Sequence, residues 1–287
     1  MLRRRKKDER DAKRAPRVRG PLVPAPMMPS AAPGSRRRAR RDATVPTELL
    51  IRNAPPAPPP EHREPRARKT ARSGGFVLVT GFEPFGGERS NPSWEIAAML
   101  PDMIAGLRVE RCRVPCEFGR AIEVAAEAIE RFEPELVLCL GQAGGRSRLG
   151  VERVAINVDD ARAPDNAGAQ PIDEPIAADG PPAYFATLPV KAMVAAMRKA
   201  GAPAELSNTA GTYVCNHLMY GVLHFIAATG RAARAGFVHV PYSESQVIDK
   251  AGVACMALST MVRGIEAALV AACQRRTDIA TAEGTLD

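Results

Sequence analysis

Residues Leu206 to Tyr220 read LSNTAGTYVCNHLMY, and the reading of this stretch decides the fold. An apolar, extended-looking LSNTAG carries Gly211 at its end, and an apolar helical pattern follows with Cys215 at the junction. The pattern predicts a buried strand, a turn and a helix, the repeating unit of an α/β protein. A thiol at a helix start lies beside unpaired backbone N–H groups and the positive end of the helix dipole, which favour the reactive thiolate. Free cysteine is also among the most buried residue types, so an inert core residue is the alternative for Cys215.

On both sides of this stretch the same alternation continues. Upstream, FVLVTGF from Phe76 is short, apolar and β-rich, and Asn91-Pro92-Ser93 then opens a helix with a capping side chain and a proline at the first helical position. LRVERCRVP reads as strand, Phe118 to Phe132 as helix ending before Pro134, ELVLCLG as a buried strand and RVAIN as a shorter one. Leu188 to Ala200 reads as helix, closed by Gly201 and Pro203, and LSNTAG as the strand after it. Cys215 to Thr229 is helical up to Gly230, GFVHVPY is strand, and Val247 to Cys273 is a long Ala-rich helix. Strands alternating with helices imply a single three-layer α/β/α domain with a mostly parallel central sheet. Ligand sites in such folds gather at the carboxyl ends of strands, where TGFEPFGG, GQAGG, the turn before Cys215 and HVPY are expected.

Composition divides the 287 residues in two. Residues 1–75 hold 21 Lys+Arg against 7 Asp+Glu, a net of +14, with 13 of the 26 prolines. Residues 76–287 hold 19 basic and 25 acidic side chains, a net of −6, so the basic character of the chain belongs to its first quarter. Runs such as RRRKK, SRRRARR and APPAPPP bury too little apolar surface to offset chain entropy, and residues 1–75 are expected to be a disordered, basic Pro/Arg-rich extension. Nucleic acid or another polyanion is conceivable only through this extension. Residues 76–287 are long enough for one core. No apolar stretch approaches a membrane span and no apolar segment follows the basic start, so no membrane association and no secretory signal are expected. The expected location is the reducing cytoplasm, where the six cysteines stay unpaired, with Cys112 and Cys116 structural.

Four histidines limit the choice of a base for Cys215. His62 lies in the extension. His217 and His224 follow Cys215 by two and nine residues on one helix, and at about 100° per residue both point away from its face. His239, in the strand GFVHVPY, could approach Cys215 if the strands before and at these residues are neighbours; a core histidine bonded to a carbonyl is the alternative. Cys215, His217 and His224 match no usual zinc spacing, so no metal is expected. GFEPFGG and GQAGGRSRLG follow strands but lack either phosphate-binding fingerprint, so their glycines serve turns or close approach to a small ligand.

TGFEPFGGERSNPSW, GQAGG, ERVAIN, ARAPDNAG, SNTAGTYVCNHLMYG and GFVHVPY together resemble the pyroglutamyl peptidase I family, the pyrrolidone-carboxylate peptidases, in order and spacing from Phe76 onward. The resemblance implies a cysteine peptidase with a Glu, Cys and His triad, falling here on Glu152, Cys215 and His239. It implies peptides with an N-terminal pyroglutamyl residue as substrates, no cofactor, and a homo-oligomer, often a tetramer. The Cys215 thiolate would attack the carbonyl after the lactam ring, His239 would carry the proton, and Glu152 would orient the imidazole. The oxyanion candidates are the Cys215 backbone N–H and, by resemblance, Arg162. A neutral lactam calls for apolar walls with a few amide-recognising groups: Phe82, Phe85, Tyr213 and Val214 for the walls, Asn91 and Gln142 for hydrogen bonds. Ala163 stands where a larger aliphatic residue is found in some members, and the extension has no counterpart in the family pattern. Two rivals stand beside this reading. One is a polyanion-binding protein working through its extension with an inactive enzyme domain, and the other is a transferase similar to purine phosphorylases.

Overall fold

The computed structural model describes residues 75–284, so the extension expected over 1–75 lies outside the described residues, save Gly75. In chain order the elements are β1 (Phe76–Phe82), α1 (Pro92–Met99), β2 (Met103–Ile104), β3 (Leu107–Val114), α2 (Arg120–Phe132), β4 (Leu136–Gln142), β5 (Leu149–Glu152) and β6 (Val154–Ile156). They continue with β7 (Ala183–Phe185), α3 (Val190–Lys199), β8 (Ala204–Ser207), α4 (Val214–Thr229), β9 (Arg234–Val240) and α5 (Leu258–Gln274). Local chemistry sets several ends. Asn91 caps α1, its Oδ1 accepting the Ser93 N–H at 3.1 Å, and Pro92 follows as the first helical residue. Gly230 closes α4 at φ 63°, a left-handed conformation that glycine adopts without steric cost.

Seven strands form one sheet in the order β2-β3-β1-β4-β9-β5-β8, and β6 pairs with β7 in a separate ribbon. The β3–β1, β1–β4, β4–β9 and β5–β8 pairs are parallel, as the alternating pattern predicts. The β9–β5 pair is antiparallel, as is the short edge pair β2–β3. The reversal at β5 follows from the link before it. Residues 143–148 are too few for the crossover that a parallel return needs, which takes about a dozen residues or more.

The side-chain period of two then sorts the sheet into two faces. Val77, Val79, Leu136, Leu138, Leu140, Val238 and Val240 join Ile96 of α1, Met193 of α3 and Met261 and Ile265 of α5 in one buried cluster. Leu78, Phe82, Val137, Cys139 and Phe237 join Ala125 and Ile129 of α2 and Val214 and Leu218 of α4 in the other. The result is the expected α/β/α sandwich. Gly141 continues the second face of β4, and His239 that of β9, so both lie beneath α4.

Three boundaries differ from the sequence reading. The strand in LSNTAG stops at Ser207, because Ser207 Oγ and Thr209 Oγ1 turn to nearby backbone groups and Gly211 takes φ 78°. RVAIN is a strand at Val154–Ile156, but it pairs with β7 in the ribbon, and the strand that enters the main sheet is the separate Leu149–Glu152 just before it. The last helix begins at Leu258, not at Val247. Gly252 sits at φ 74°, and the Met256 N–H bonds back to Tyr242 O at 2.9 Å, so tertiary contacts hold residues 247–257 as a strap despite their helix-forming composition.

Candidate active site

Cys215 is the second residue of α4, whose N-cap, Tyr213, makes no side-chain capping bond, leaving first-turn N–H groups free to face a ligand. The strand before it, β8, is not a neighbour of β9, since β5 lies between them. The approach runs instead through the start of α4, which crosses the sheet face above β4. A Cβ on Gly141 would come within 2.9 Å of Cys215 Sγ and 2.6 Å of the Phe237 ring, so only glycine lets the thiol settle there. Gly141 is in register with His239 on the adjacent strand, so the thiol lies over the strand next to the one that carries the imidazole.

His239 is 4% exposed and Glu152 fully buried. His239 Nδ1–H donates to Glu152 Oε1 at 2.7 Å, and Arg146 Nη1–H donates to the same oxygen at 2.9 Å. With Nδ1 bound to a carboxylate, the hydrogen-bond network assigns the free lone pair of His239 to Nε2. Antiparallel register makes this contact possible: Gly150 faces His239 and Glu152 faces Phe237, so Glu152 reaches His239 diagonally on the same sheet face. Burial pushes the Cys215 thiol above its ordinary value, reinforced by the nearby Cys116 and Glu152 and opposed by Arg146. Burial likewise holds His239 below its ordinary value, against the bond and charge of Glu152, which raise it. Both shifts favour a neutral thiol beside a neutral imidazole at rest. Desolvation thus opposes the stabilisation of the thiolate that a helix start offers.

The residues just before α4, the loop after β6 and the loop after β1 line a cleft of about 420 Å³ whose walls include Phe85, Arg162, Ala163 and Tyr213. Two backbone-directed bonds join its halves: Asp160 N–H donates to Thr212 O at 2.9 Å, and Thr212 Oγ1–H donates to Asp160 O at 2.8 Å. The Phe85 and Tyr213 rings lie 6.4 Å apart, and Tyr213 Oη–H donates to Pro164 O at 3.1 Å. Arg162 is exposed and has no hydrogen-bond or ionic partner among the described residues. Of the other wall residues expected from sequence, Phe82 and Val214 lie in the buried cluster against which Phe85, Tyr213 and Cys215 pack. Asn91 is occupied as the α1 cap, its Nδ2–H donating to Glu83 O at 3.0 Å. Gln142 ends β4 and accepts from Gln246 Nε2 at 2.9 Å.

His217 and His224 are engaged elsewhere, as their angular positions predict. His217 donates from Nδ1 to Asp159 Oδ2 at 2.7 Å and accepts the Gly119 N–H at Nε2, 2.8 Å away. His224 Nδ1 lies 3.0 Å from Tyr184 Oη. Sequence reading passed over Arg146, Gly141 and the Asp159–His217 pair. Arg146 had one available signal, its place in a glycine-rich turn at the carboxyl end of a buried strand.

The family described as pyroglutamyl peptidase matches residues 76–275. The chain belongs to the pyroglutamyl peptidase family. It is similar to the pyrrolidone-carboxylate peptidase of Erwinia tasmaniensis, at 54% identity over 194 residues, 67% of this chain and 90% of that protein. It is equally similar to that of Streptomyces coelicolor, at 54% over 211 residues, 72% of this chain and 97% of the relative. Among solved structures, pyroglutamyl peptidase I from Bacillus amyloliquefaciens superposes with a TM-score of 0.71 at 41% identity, covering 73% of this chain and all of that one. The pyrrolidone carboxyl peptidase of Thermococcus litoralis gives 0.67 at 42% identity, covering 70% and 94%. In this pyroglutamyl peptidase family member, the matched region contains the sheet and the whole of the site.

Proposed function

We propose that the chain is a cysteine exopeptidase that removes an N-terminal pyroglutamyl residue from peptides, with Cys215 as nucleophile, His239 as base and Glu152 as the residue that orients the imidazole. The observation that carries this reading is the 2.7 Å bond between the buried Glu152 and His239, directly beneath the helix start that holds Cys215 over Gly141. His239 Nε2 takes the thiol proton as Sγ attacks the carbonyl following the lactam ring, and imidazolium then protonates the leaving amine. Water, deprotonated by the same nitrogen, hydrolyses the thioester and restores the thiol. Glu152 stabilises the transient imidazolium without itself taking the proton. The Cys215 N–H, on an uncapped helix turn, is suited to the oxyanion, and the unpartnered Arg162 is the second donor.

The lactam ring is neutral and has no free amine. A cleft walled by Phe85 and Tyr213 suits its ring, with Phe82 and Val214 as backing and Gln142 and Asn91 near the strand ends as polar groups. Ala163 on the wall leaves the pocket wider than a larger aliphatic residue would. The catalytic domain is residues 76–287, and residues 1–75 form a separate basic extension. All six thiols are free, which fits a reducing cytoplasm. No helix among the described residues is long and apolar enough to cross a membrane. Assembly as a homo-oligomer, a tetramer, follows from the family resemblance.

The test is fluorophore release from a pyroglutamyl amide by the wild type and by Cys215→Ser. Hydrolysis by the wild type and none by the variant is expected. Absence of thiol-dependent hydrolysis overturns the reading.

A further inference from the structure

We propose that Arg146 is a positioning residue for the reaction, holding Glu152 in line with His239 and tying that pair to the turn that delivers Cys215. This rests on the reading of Glu152, His239 and Cys215 as the catalytic triad.

One residue here touches three parts of the site. Arg146 leaves the tight turn after β4, where its N–H bonds to Ala143 O at 3.3 Å. Its Nη1 donates to Glu152 Oε1 at 2.9 Å, the oxygen that also accepts from His239. Its Nη2 donates to Thr209 O at 3.4 Å, in the turn between β8 and the helix that carries Cys215. The path of the side chain crosses Gly150, where a Cβ would stand 2.5 Å from Nη1. A glycine in a strand interior often marks such a close approach, and Gly150 is the residue in register with His239.

The electrostatics point the same way. A carboxylate with no exposed surface needs a paired charge to be tolerated. Glu152 Oε2 has no hydrogen-bond partner among the described residues, so Arg146 and His239 share the one oxygen that is bonded. The guanidinium is the only permanently charged partner of Glu152 in that pair, since His239 is neutral at rest. The groups facing the imidazole and thiol are Glu152 from β5, Arg146 from the turn after β4, Cys139 from β4 and Cys116 from beyond β3. Among these only Arg146 is positive. It disfavours imidazolium at His239 and favours thiolate at Cys215, so it helps the base stay unprotonated and eases loss of the thiol proton.

The experiment measures kcat/KM against pH for release of a fluorophore from a pyroglutamyl amide. The full-length variants are Arg146→Gln, Arg146→Lys, Gly150→Ala and Cys215→Ser. Arg146→Gln is expected to lose about 10- to 100-fold in kcat/KM, part of the roughly 10²–10⁴-fold that a positioned base supplies, mostly in kcat. Its acid limb is expected to move up by about one pH unit, because the charge that opposed imidazolium is gone. Arg146→Lys, which keeps the charge without the planar fork, is expected to restore the acid limb and part of the rate. Gly150→Ala keeps the arginine but displaces it, and is expected to shift the limb in the same direction, which carries the test should Arg146→Gln fail to fold. A folded Arg146→Gln or Gly150→Ala with the wild-type limb and rate overturns the inference, as does a rate loss without a limb shift that lysine does not rescue. Cys215→Ser separates the two readings. If it hydrolyses like the wild type, the triad itself is wrong; if it is inactive while Arg146→Gln matches the wild type, only the role of Arg146 fails.

Discussion

Glu152 directs a buried negative charge at one nitrogen of His239 through a 2.7 Å bond, and that contact leaves Nε2 as the nitrogen available for the proposed reaction. Glu152→Gln keeps the shape but removes the charge and presents an amide to Nδ1, inviting the wrong tautomer. The expected loss in kcat is large, about 10⁴-fold by analogy with the equivalent change in serine peptidases. Steady-state kinetics with near-normal thermal melting would confirm it, and a loss under tenfold would contradict it. The pH dependence has a definite sign. Burial holds His239 below its ordinary value of about 6.5, so as pH falls the imidazole stays a competent base until that lower value is crossed. The acid limb of kcat/KM is therefore expected below pH 6.5 or so, and a limb near neutrality would show an imidazole more solvated than this one. Gly141→Ala adds a methyl where Cys215 Sγ and the Phe237 ring already sit, at 2.9 and 2.6 Å. The expected cost is about 1–3 kcal/mol in urea unfolding together with a marked drop in kcat, because the thiol must move. The residues proposed as the triad were legible in the sequence only through family motifs. Spacing could exclude His217 and His224, but it could not show that Glu152 and His239 meet, because that contact depends on strand order. Nor could it show that desolvation opposes the thiolate at Cys215, since burial is a property of the packed molecule.

Elements explain why the contact forms. β5 reverses direction after a short turn and inserts between β8 and β9, and its antiparallel pairing with β9 brings Glu152 beside His239. The sequence pattern for a mostly parallel sheet holds for β3, β1, β4 and β9, whose apolar runs are long and bounded by turn residues. It says nothing of β5, because LGVE is short and hidden behind a glycine-rich turn. The last helix is shorter than expected for the opposite reason: composition favours helix, but the strap over residues 247–257 is tied down from outside, with Lys250 paired to Glu88 and the Met256 N–H bonded to Tyr242 O. After Glu152 the chain is anchored to α4 by Asn216, which is 1% exposed. Its Oδ1 accepts the Ile156 N–H at 3.0 Å, and its Nδ2 donates to Ile156 O at 2.9 Å and Val158 O at 3.1 Å. Asn216→Ala removes all three bonds and leaves part-buried backbone groups without a protein partner, at an expected cost of about 1–3 kcal/mol in chemical denaturation. A change of a few tenths would mean that water replaces the amide.

At the scale of the whole molecule, charge and catalysis are segregated along the chain. The net of +14 lies in residues 1–75, whereas residues 76–287 carry −6 and hold every residue assigned to the reaction. The family match begins at residue 76, where β1 starts, and β1 is held on both sides by β3 and β4. The reacting groups lie toward the other end of the sheet: the Phe85 loop follows the last residue of β1, and Gly141 and His239 are near the ends of their strands. Removing residues 1–74 deletes no residue of the sheet, of the two buried clusters or of the cleft. The truncated protein is expected to hydrolyse a pyroglutamyl amide with the kcat/KM of the full chain. Any retention of the full chain on immobilised DNA should weaken steeply as salt rises and vanish in the truncated form, because counterion release scales with the number of phosphates that lysine and arginine neutralise. A large fall in kcat/KM on truncation would show that the extension contributes to the site or to the fold. Retention that survives truncation would place the polyanion contact on a domain whose own net charge is negative, on a local basic patch and not on the extension.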